Sequence, residues 1–295
     1  MTARRTRIGL GTVQWGVDYG VANRDGRTPP AEVARILAAG RASGLRVLDT
    51  AALYGEAESV LGEQDLGGLQ VITKTPRYAH APITAADVDD LKATLDRSLA
   101  RLRLPAVHGL LAHHADDLLA PGGERLIDAL RALRDQGKVE RIGVSVYDGA
   151  QIAAVLERFT PDLVQLPLNV FDQRLIADGS LARLAALGVG IHVRSVFLQG
   201  LLLMSPDAAP VFFDPWREQL RAWHAACAAR GVLPQQAALA FVCDLPEVSC
   251  CLIGVQSLAQ LEQSLAGLDR VPPFGATQFA CTDPALLNPV NWRLS

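Results

Sequence analysis

Residues 46–50 read Arg46-Val47-Leu48-Asp49-Thr50, and residues 69–74 read Leu69-Gln70-Val71-Ile72-Thr73-Lys74. Each is a short apolar run of strand length that ends on a polar or charged residue. Runs of the same kind occur at 7–12, 107–112, 141–146, 162–166, 189–194 and 249–253, which makes eight candidate strands. Between them the apolar spacing becomes helical. Val33, Ile36, Leu37 and Gly40 form one stripe, and Val88, Leu91, Leu95, Leu99 and Leu102 a longer one. Leu126, Ile127, Leu130 and Leu133 give a third, and Ile152, Val155, Leu156 and Phe159 a fourth. Leu181, Leu184 and Leu187, then Leu261, Leu265 and Leu268, give the last two. Thr28-Pro29 and Thr84 read as helix starts, and Gly44, Gly137 and Gly188 as stops.

Strand–helix alternation implies parallel strands joined by crossovers. Eight such units, with no Pro/Gly/Ser linker to divide them, predict an α/β chain forming one (β/α)8 TIM barrel over residues 1–295. A doubly wound open sheet is the alternative. Residues 199–215 and 270–295 lack periodicity; the second stretch is expected to be a tail folded over one face of the barrel.

Composition excludes several classes. The net charge of -3 offers no electrostatic footprint for nucleic acid or an acidic membrane. The one basic cluster, Arg4, Arg5 and Arg7, reads as a frayed end, and no apolar signal region follows it. No uncharged apolar stretch reaches membrane-spanning length. Cys227, Cys243, Cys250, Cys251 and Cys281 are odd in number and lack C-x-x-C spacing, so reduced thiols and a cytoplasmic protein are expected. Adjacent Cys250 and Cys251 read as small core residues, with a redox pair as the sharper alternative.

In such barrels chemistry sits where the strands end. Strand two ends in Asp49, with Tyr54 in the loop beyond it; strand three ends in Lys74; strand four ends in His113-His114. A carboxylate, a phenol, an ammonium and an imidazole at one mouth are the parts needed to reduce a carbonyl. Hydride arriving at a carbonyl carbon leaves an alkoxide that needs a proton. A phenol ordinarily titrates near 10, and a neighbouring ammonium makes it a better donor. A carboxylate would hold the ammonium, and an imidazole N–H would polarise the carbonyl. Each residue alone has a structural reading: an ion pair for Asp49 and Lys74, packing for Tyr54, a loop pair for the histidines.

Asp49 to Gly55, Thr73-Lys74 and Leu110-Leu111-Ala112-His113 together resemble the signature of the aldo-keto reductases. Gly9-Leu10-Gly11-Thr12, Gly143-Val144-Ser145, Val164-Gln165 and Ile253-Gly254-Val255-Gln256-Ser257 extend the resemblance over the chain. It implies a nicotinamide-dependent reductase acting on a small carbonyl or alcohol. In that family's arrangement Tyr54 is the proton donor, Lys74 and Asp49 tune it, and His113 orients the carbonyl. Ser145 and Gln165 would hold the nicotinamide carboxamide, and Arg194 and Ser195 stand where the ring stacks. Val196, Phe197, Leu198 and Gly200 would cradle the pyrophosphate. Gly254, Gln256, Ser257, Gln260, Gln263 and Ser264 would hold the adenosine end, with Gly11, Thr12, Asp49 and Ile253 also lining the cofactor site. No metal is implied. The Gly9-Leu10-Gly11 pair is not a Rossmann fingerprint, because Gln14 occupies the third glycine position.

Three departures from the pattern matter. NADP-preferring members carry cations in the last cofactor loop, where this chain has Gly254 and Gln260. The cofactor is therefore NADP(H) or NAD(H), with the family pattern favouring the first. Gln263-Ser264 replaces the usual adenine-binding Glu-Asn pair. Strand five ends Ser145-Val146-Tyr147 where many members have Ser-Asn, which removes one carboxamide ligand. Trp15, Tyr19, Phe171 and the tail residues Phe274, Phe279 and Trp292 are candidates to line the substrate pocket, with packing the favoured reading for each one alone. Two other functions compete: a nicotinamide-sensing regulatory protein on the same barrel, and a metal-dependent hydrolase, which the lack of an H-x-H on strand one disfavours. Oligomeric state is not legible.

Overall fold

The computed structural model of the protein describes residues 4–21, 23 and 25–293. Eight strands form the sheet: β1 (Ile8–Gly11), β2 (Val47–Asp49), β3 (Gln70–Lys74), β4 (Val107–Ala112), β5 (Val139–Ser145), β6 (Leu163–Pro167), β7 (Gly190–Arg194) and β8 (Cys250–Gly254). Each pairs in parallel with its neighbours in sequence, and β1 pairs with β8, so the sheet is a closed barrel. The open doubly wound alternative is excluded.

Helices return the chain between strands: α1 (Pro30–Ala42), α2 (Ala57–Gly62), α3 (Ala85–Leu102), α4 (Glu124–Asp135), α5 (Gly149–Arg158), α6 (Ser180–Ala186), α7 (Arg217–Ala229), α8 (Pro234–Cys243) and α9 (Leu258–Leu265). Thr84 starts α3 as expected: its backbone N–H donates to Asp87 at 2.7 Å, and the two side chains form a capping box. The first helix starts at Pro30, one residue later than the sequence suggested. Helices α7 and α8 were not read from the sequence. In α8 the reason is physical: Ala237 to Ala240, Val242 and Cys243 are all buried, so the helix has no polar face to mark its period.

Alternation along the strands sets the site. Val47, Ile72, Leu111 and Leu163 form an apolar cluster apart from the main core, as inward-facing residues of four strands. Two residues further along each of these chains, on the same face, come Asp49, Lys74, His113 and Gln165. An apolar plug thus floors a polar layer. The outward-facing residues, such as Val71, Leu110, Ile142, Val144 and Val164, pack under the helices.

One expectation is corrected, and for the tail aromatics the packing reading holds. The arginines at the start are pinned rather than frayed. Arg4 bonds Asp244 at 2.6 Å and the carbonyls of Leu268 and Val271, Arg5 bonds Asp269, and Arg7 bonds the carbonyls of Cys243 and Leu245. The tail aromatics do not reach the barrel mouth. Phe274 and Phe279 pack edge-on against Trp223 of α7, and Trp292 packs against Phe213. All five cysteines are free. Cys250 and Cys251 are both buried core residues without a bond between them.

Candidate active site

Asp49 closes β2 with both carboxylate oxygens committed. Lys74 Nζ donates to Oδ2 at 2.7 Å, and Gln165 Nε2 donates to Oδ1 at 2.6 Å from the far side of the barrel. Lys74 Nζ also donates to the Thr50 carbonyl at 2.9 Å. The Lys74 side chain is 1% exposed. Burial on its own lowers the pKa of an ammonium. The charges of Asp49 and Tyr54, and hydrogen bonds to both, outweigh it and raise Lys74 above the ordinary lysine value. Lys74 is therefore a cation at neutral pH.

Tyr54 stands over this pair, its ring centroid 5.0 Å from Lys74 Nζ. Its loop is fixed by glycine contacts. A Cβ on Gly16 would lie 1.7 Å from the Tyr54 carbonyl oxygen, and one on Gly55, at φ +55°, would lie 2.5 Å from the Gly16 carbonyl oxygen. Only glycine at both positions lets the two loops interlock. His113 meets Tyr54 edge-on, with ring centroids 5.9 Å apart, and stacks on His114 at 4.9 Å. Its backbone N–H donates to Thr75 Oγ1 at 3.1 Å. Burial, reinforced by Lys74, His114 and Arg194, pushes His113 down to about 3, so the ring is a neutral imidazole at working pH.

A cavity of about 690 Å³ opens from these residues. Gly11, Thr12, Asp49, Tyr54, His113, Ser145, Gln165, Arg194 and Ser195 line one part of it. Val196, Phe197, Gly200, Ile253, Gly254, Gln256, Gln260, Gln263 and Ser264 continue the wall. Lys74 lies beneath the floor. Leu198 and Ser257, named from the sequence as cofactor contacts, do not line the cavity. The Leu198 side chain is fully buried in the core, and Ser257 caps α9, its Oγ accepting from Gln260 N at 3.2 Å. Trp15 and Phe171 do not line it either. Both are fully buried, Trp15 donating to the Val255 carbonyl at 3.1 Å. Of the aromatic candidates, Tyr19 does face the cavity.

Polar cavity residues that the sequence reading did not single out are Gln14, Asn23, Gln199 (which lies inside the 196–200 stretch expected at the pyrophosphate) and Gln235. The first three stand on loops that follow β1 and β7, which is where barrel function concentrates. They form a strap. Gln199 Nε2 donates to Tyr19 Oη at 3.0 Å, and Gln256 Nε2 donates to Asn23 Oδ1 at 2.7 Å and the Gly26 carbonyl at 2.8 Å. Tyr147, one residue beyond the Val146 that stands in the place of the usual asparagine, lies under the Arg194 guanidinium at 4.6 Å. Among the described residues no group of three His, Cys, Asp or Glu stands together to hold a metal, and no helix is long and apolar enough to cross a membrane.

Thr12 Oγ1, Gln14 Oε1 and His113 Nδ1 are buried at this cavity without a protein partner. Unsatisfied groups of this kind, around a cavity in the range that takes small organic ligands, fit a polar cofactor. A closed parallel barrel with a phenol, a buried ammonium and a neutral imidazole at its mouth defines the class: a (β/α)8 oxidoreductase. Residues 7–283 match the model of the Aldo/keto reductase family, and the chain belongs to that family, whose members are NAD(P)H-dependent enzymes. The chain is 28% identical to L-galactose dehydrogenase of Arabidopsis thaliana, over 96% of this chain and 91% of the relative. It is 28% identical to 6-dehydroglucose reductase of Novosphingobium aromaticivorans, over 88% and 87% of the two chains. In fold it matches the holo form of an aldo-keto reductase from Bacillus halodurans, with a TM-score of 0.73, 19% identity, and 92% and 89% of the two chains covered.

Proposed function

We propose that the protein interconverts an aldehyde or ketone and its alcohol on a small, sugar-like substrate, with Tyr54 as proton donor. The observation that carries this reading is the buried Lys74–Asp49 pair directly under the Tyr54 ring, with His113 at its edge. A bound NAD(P)(H) supplies or accepts the hydride. The chain's own residues do the rest. Tyr54 gives its hydroxyl proton to the carbonyl oxygen as negative charge develops there. Lys74 stays charged and stabilises the phenolate left behind. Asp49, held by Gln165, fixes Lys74. His113, neutral, donates a ring N–H to the same oxygen and orients it. Gln165 and Ser145 would hold the nicotinamide end of the cofactor, and the loop from Val196 to Gly200 would hold the pyrophosphate. A sugar-like substrate is supported by the polar hydroxyl and amide groups around the mouth and by the sugar-acting relatives.

The test is turnover on a panel of aldoses, uronates and simple aldehydes, with wild type and Tyr54→Phe, alongside cofactor binding by fluorescence. The expected result is turnover that falls about 10²-fold or more in the variant while cofactor affinity holds. Near-normal turnover in Tyr54→Phe overturns the proton-donor role. Cofactor binding without turnover on any carbonyl points to the regulatory alternative.

A further inference from the structure

The catalytic end of the cavity contains the one Lys or Arg among its described lining residues, Arg194. The other end is lined by carboxamides and a hydroxyl: Gln235, Gln256, Gln260, Gln263 and Ser264. This end abuts the start of α9, whose first-turn N–H groups would ordinarily attract an anion. Here two of them, and the N–H of Gln256 just before the helix, are already taken. The backbone N–H of Leu258 donates to Glu32 Oε1 of α1 at 2.7 Å. The N–H of Gln260 donates to Ser257 Oγ, and that of Gln256 donates to Gln260 Oε1 at 2.8 Å. Glu32, which does not itself line the cavity, thus takes a helix-start donor that an anion would otherwise use. Arg35 is held by the other oxygen of Glu32, at 2.6 Å, and does not line the cavity.

We propose that this end of the cavity selects NAD(H) over NADP(H), with Glu32 and the surrounding glutamines as the discriminating residues. The proposal rests on the dinucleotide-dependent reading above. A dinucleotide with its nicotinamide at Tyr54 must put its adenosine toward the glutamine end. There a ribose diol finds amide donors and acceptors that match it. A 2′-phosphate would find no cation among the described lining residues of that end, no free donor at Leu258, Gln260 or Gln256, and a carboxylate behind them. Discrimination then comes from an unfavourable element against one ligand as much as from a fit to the other.

The test is titration of the purified protein with NADH and NADPH, followed by quenching of protein fluorescence, on wild type, Glu32→Gln and Gln260→Arg. Wild type is expected to bind NADH at least about tenfold tighter than NADPH, and added salt should narrow the gap by screening. Both variants should tighten NADPH binding and shift the NADH-to-NADPH affinity ratio toward NADPH, so a Glu32→Gln chain that folds poorly does not remove the test. NADPH binding as tight as NADH in wild type overturns the selection, as does an unchanged ratio in folded variants. So does selective loss of NADPH affinity in Arg35→Gln or Arg24→Gln (Arg24 lies outside the described residues), because an arginine would then be serving the phosphate. Failure of both dinucleotides to bind overturns the functional reading itself and the selection with it, an outcome distinct from tight NADPH binding.

Discussion

Gln165 reaches across the barrel to bond Asp49 at 2.6 Å, so the residue proposed to bind the carboxamide also holds the carboxylate that fixes Lys74. Replacing it with Leu leaves a buried carboxylate oxygen unpaired, at a cost of about 1–3 kcal/mol. Gln165→Leu is expected to lower both thermal stability and kcat. A melting scan with steady-state rates checks this; an unchanged melting temperature shows that the bond contributes nothing.

The interlock of Gly16 with the Tyr54 loop makes a remote glycine part of the catalytic geometry. Gly16→Ala forces a methyl group into a carbonyl oxygen, and overpacking of this kind costs about 1–3 kcal/mol. Displacement of Tyr54 should lower kcat more than it weakens cofactor binding. Wild-type kcat in the folded variant would show that the loop position is set elsewhere.

Two buried histidines tie stability to pH. Burial pushes His113 down to about 3 and His192 to about 4, against an ordinary value of 6.5. Between those values and 6.5 the unfolded chain binds more protons than the folded one, so stability rises with pH. Each contributes fully above 6.5 and is lost as pH falls through the window, with a slope of about 1.4 kcal/mol per pH unit. Denaturant melts from pH 7 to 4 on wild type and His192→Gln should show a shallower slope in the variant. Parallel curves would assign the acid sensitivity to other groups.

The thiols should be inert in the folded state. Burial pushes Cys227 up to about 12 and raises Cys250 further, and Cys251 is raised by burial and by its bond with Cys243. Cys281 alone is partly exposed. Native alkylation followed by mass spectrometry is expected to label Cys281 only. Labelling of Cys250 or Cys251 without unfolding would mean that the barrel opens locally.

The barrel was legible because each strand is a closed sentence of alternation: Val47 and Ile72 face the plug, and Asp49 and Lys74, two residues on, face the mouth. That Asp49, Lys74 and His113 would meet at one mouth was legible for the same reason, since position at a strand end is a matter of counting. What escaped the sequence depends on distance rather than order. Trp15 and Phe171 lie near strand ends in the chain, yet their side chains turn into the core. Glu32 sits on α1, 226 positions from the Leu258 N–H it accepts. Gly16 carries no sign in the sequence that its missing Cβ makes room for Tyr54.

Closure of the barrel through β1 and β8 also sets a clock for synthesis. Gly11 pairs with Asp49 on one side and with Gly254 on the other, and Thr12 just beyond it lines the site. While the chain is being made, β1 keeps one bare edge until residues 250–254 have left the ribosome. Asp49, Lys74 and His113 exist long before that moment, but the wall that would hold a dinucleotide against them does not. The nascent chain therefore carries these side chains without the completed cavity wall for most of its birth, and the last strand is the step that closes it.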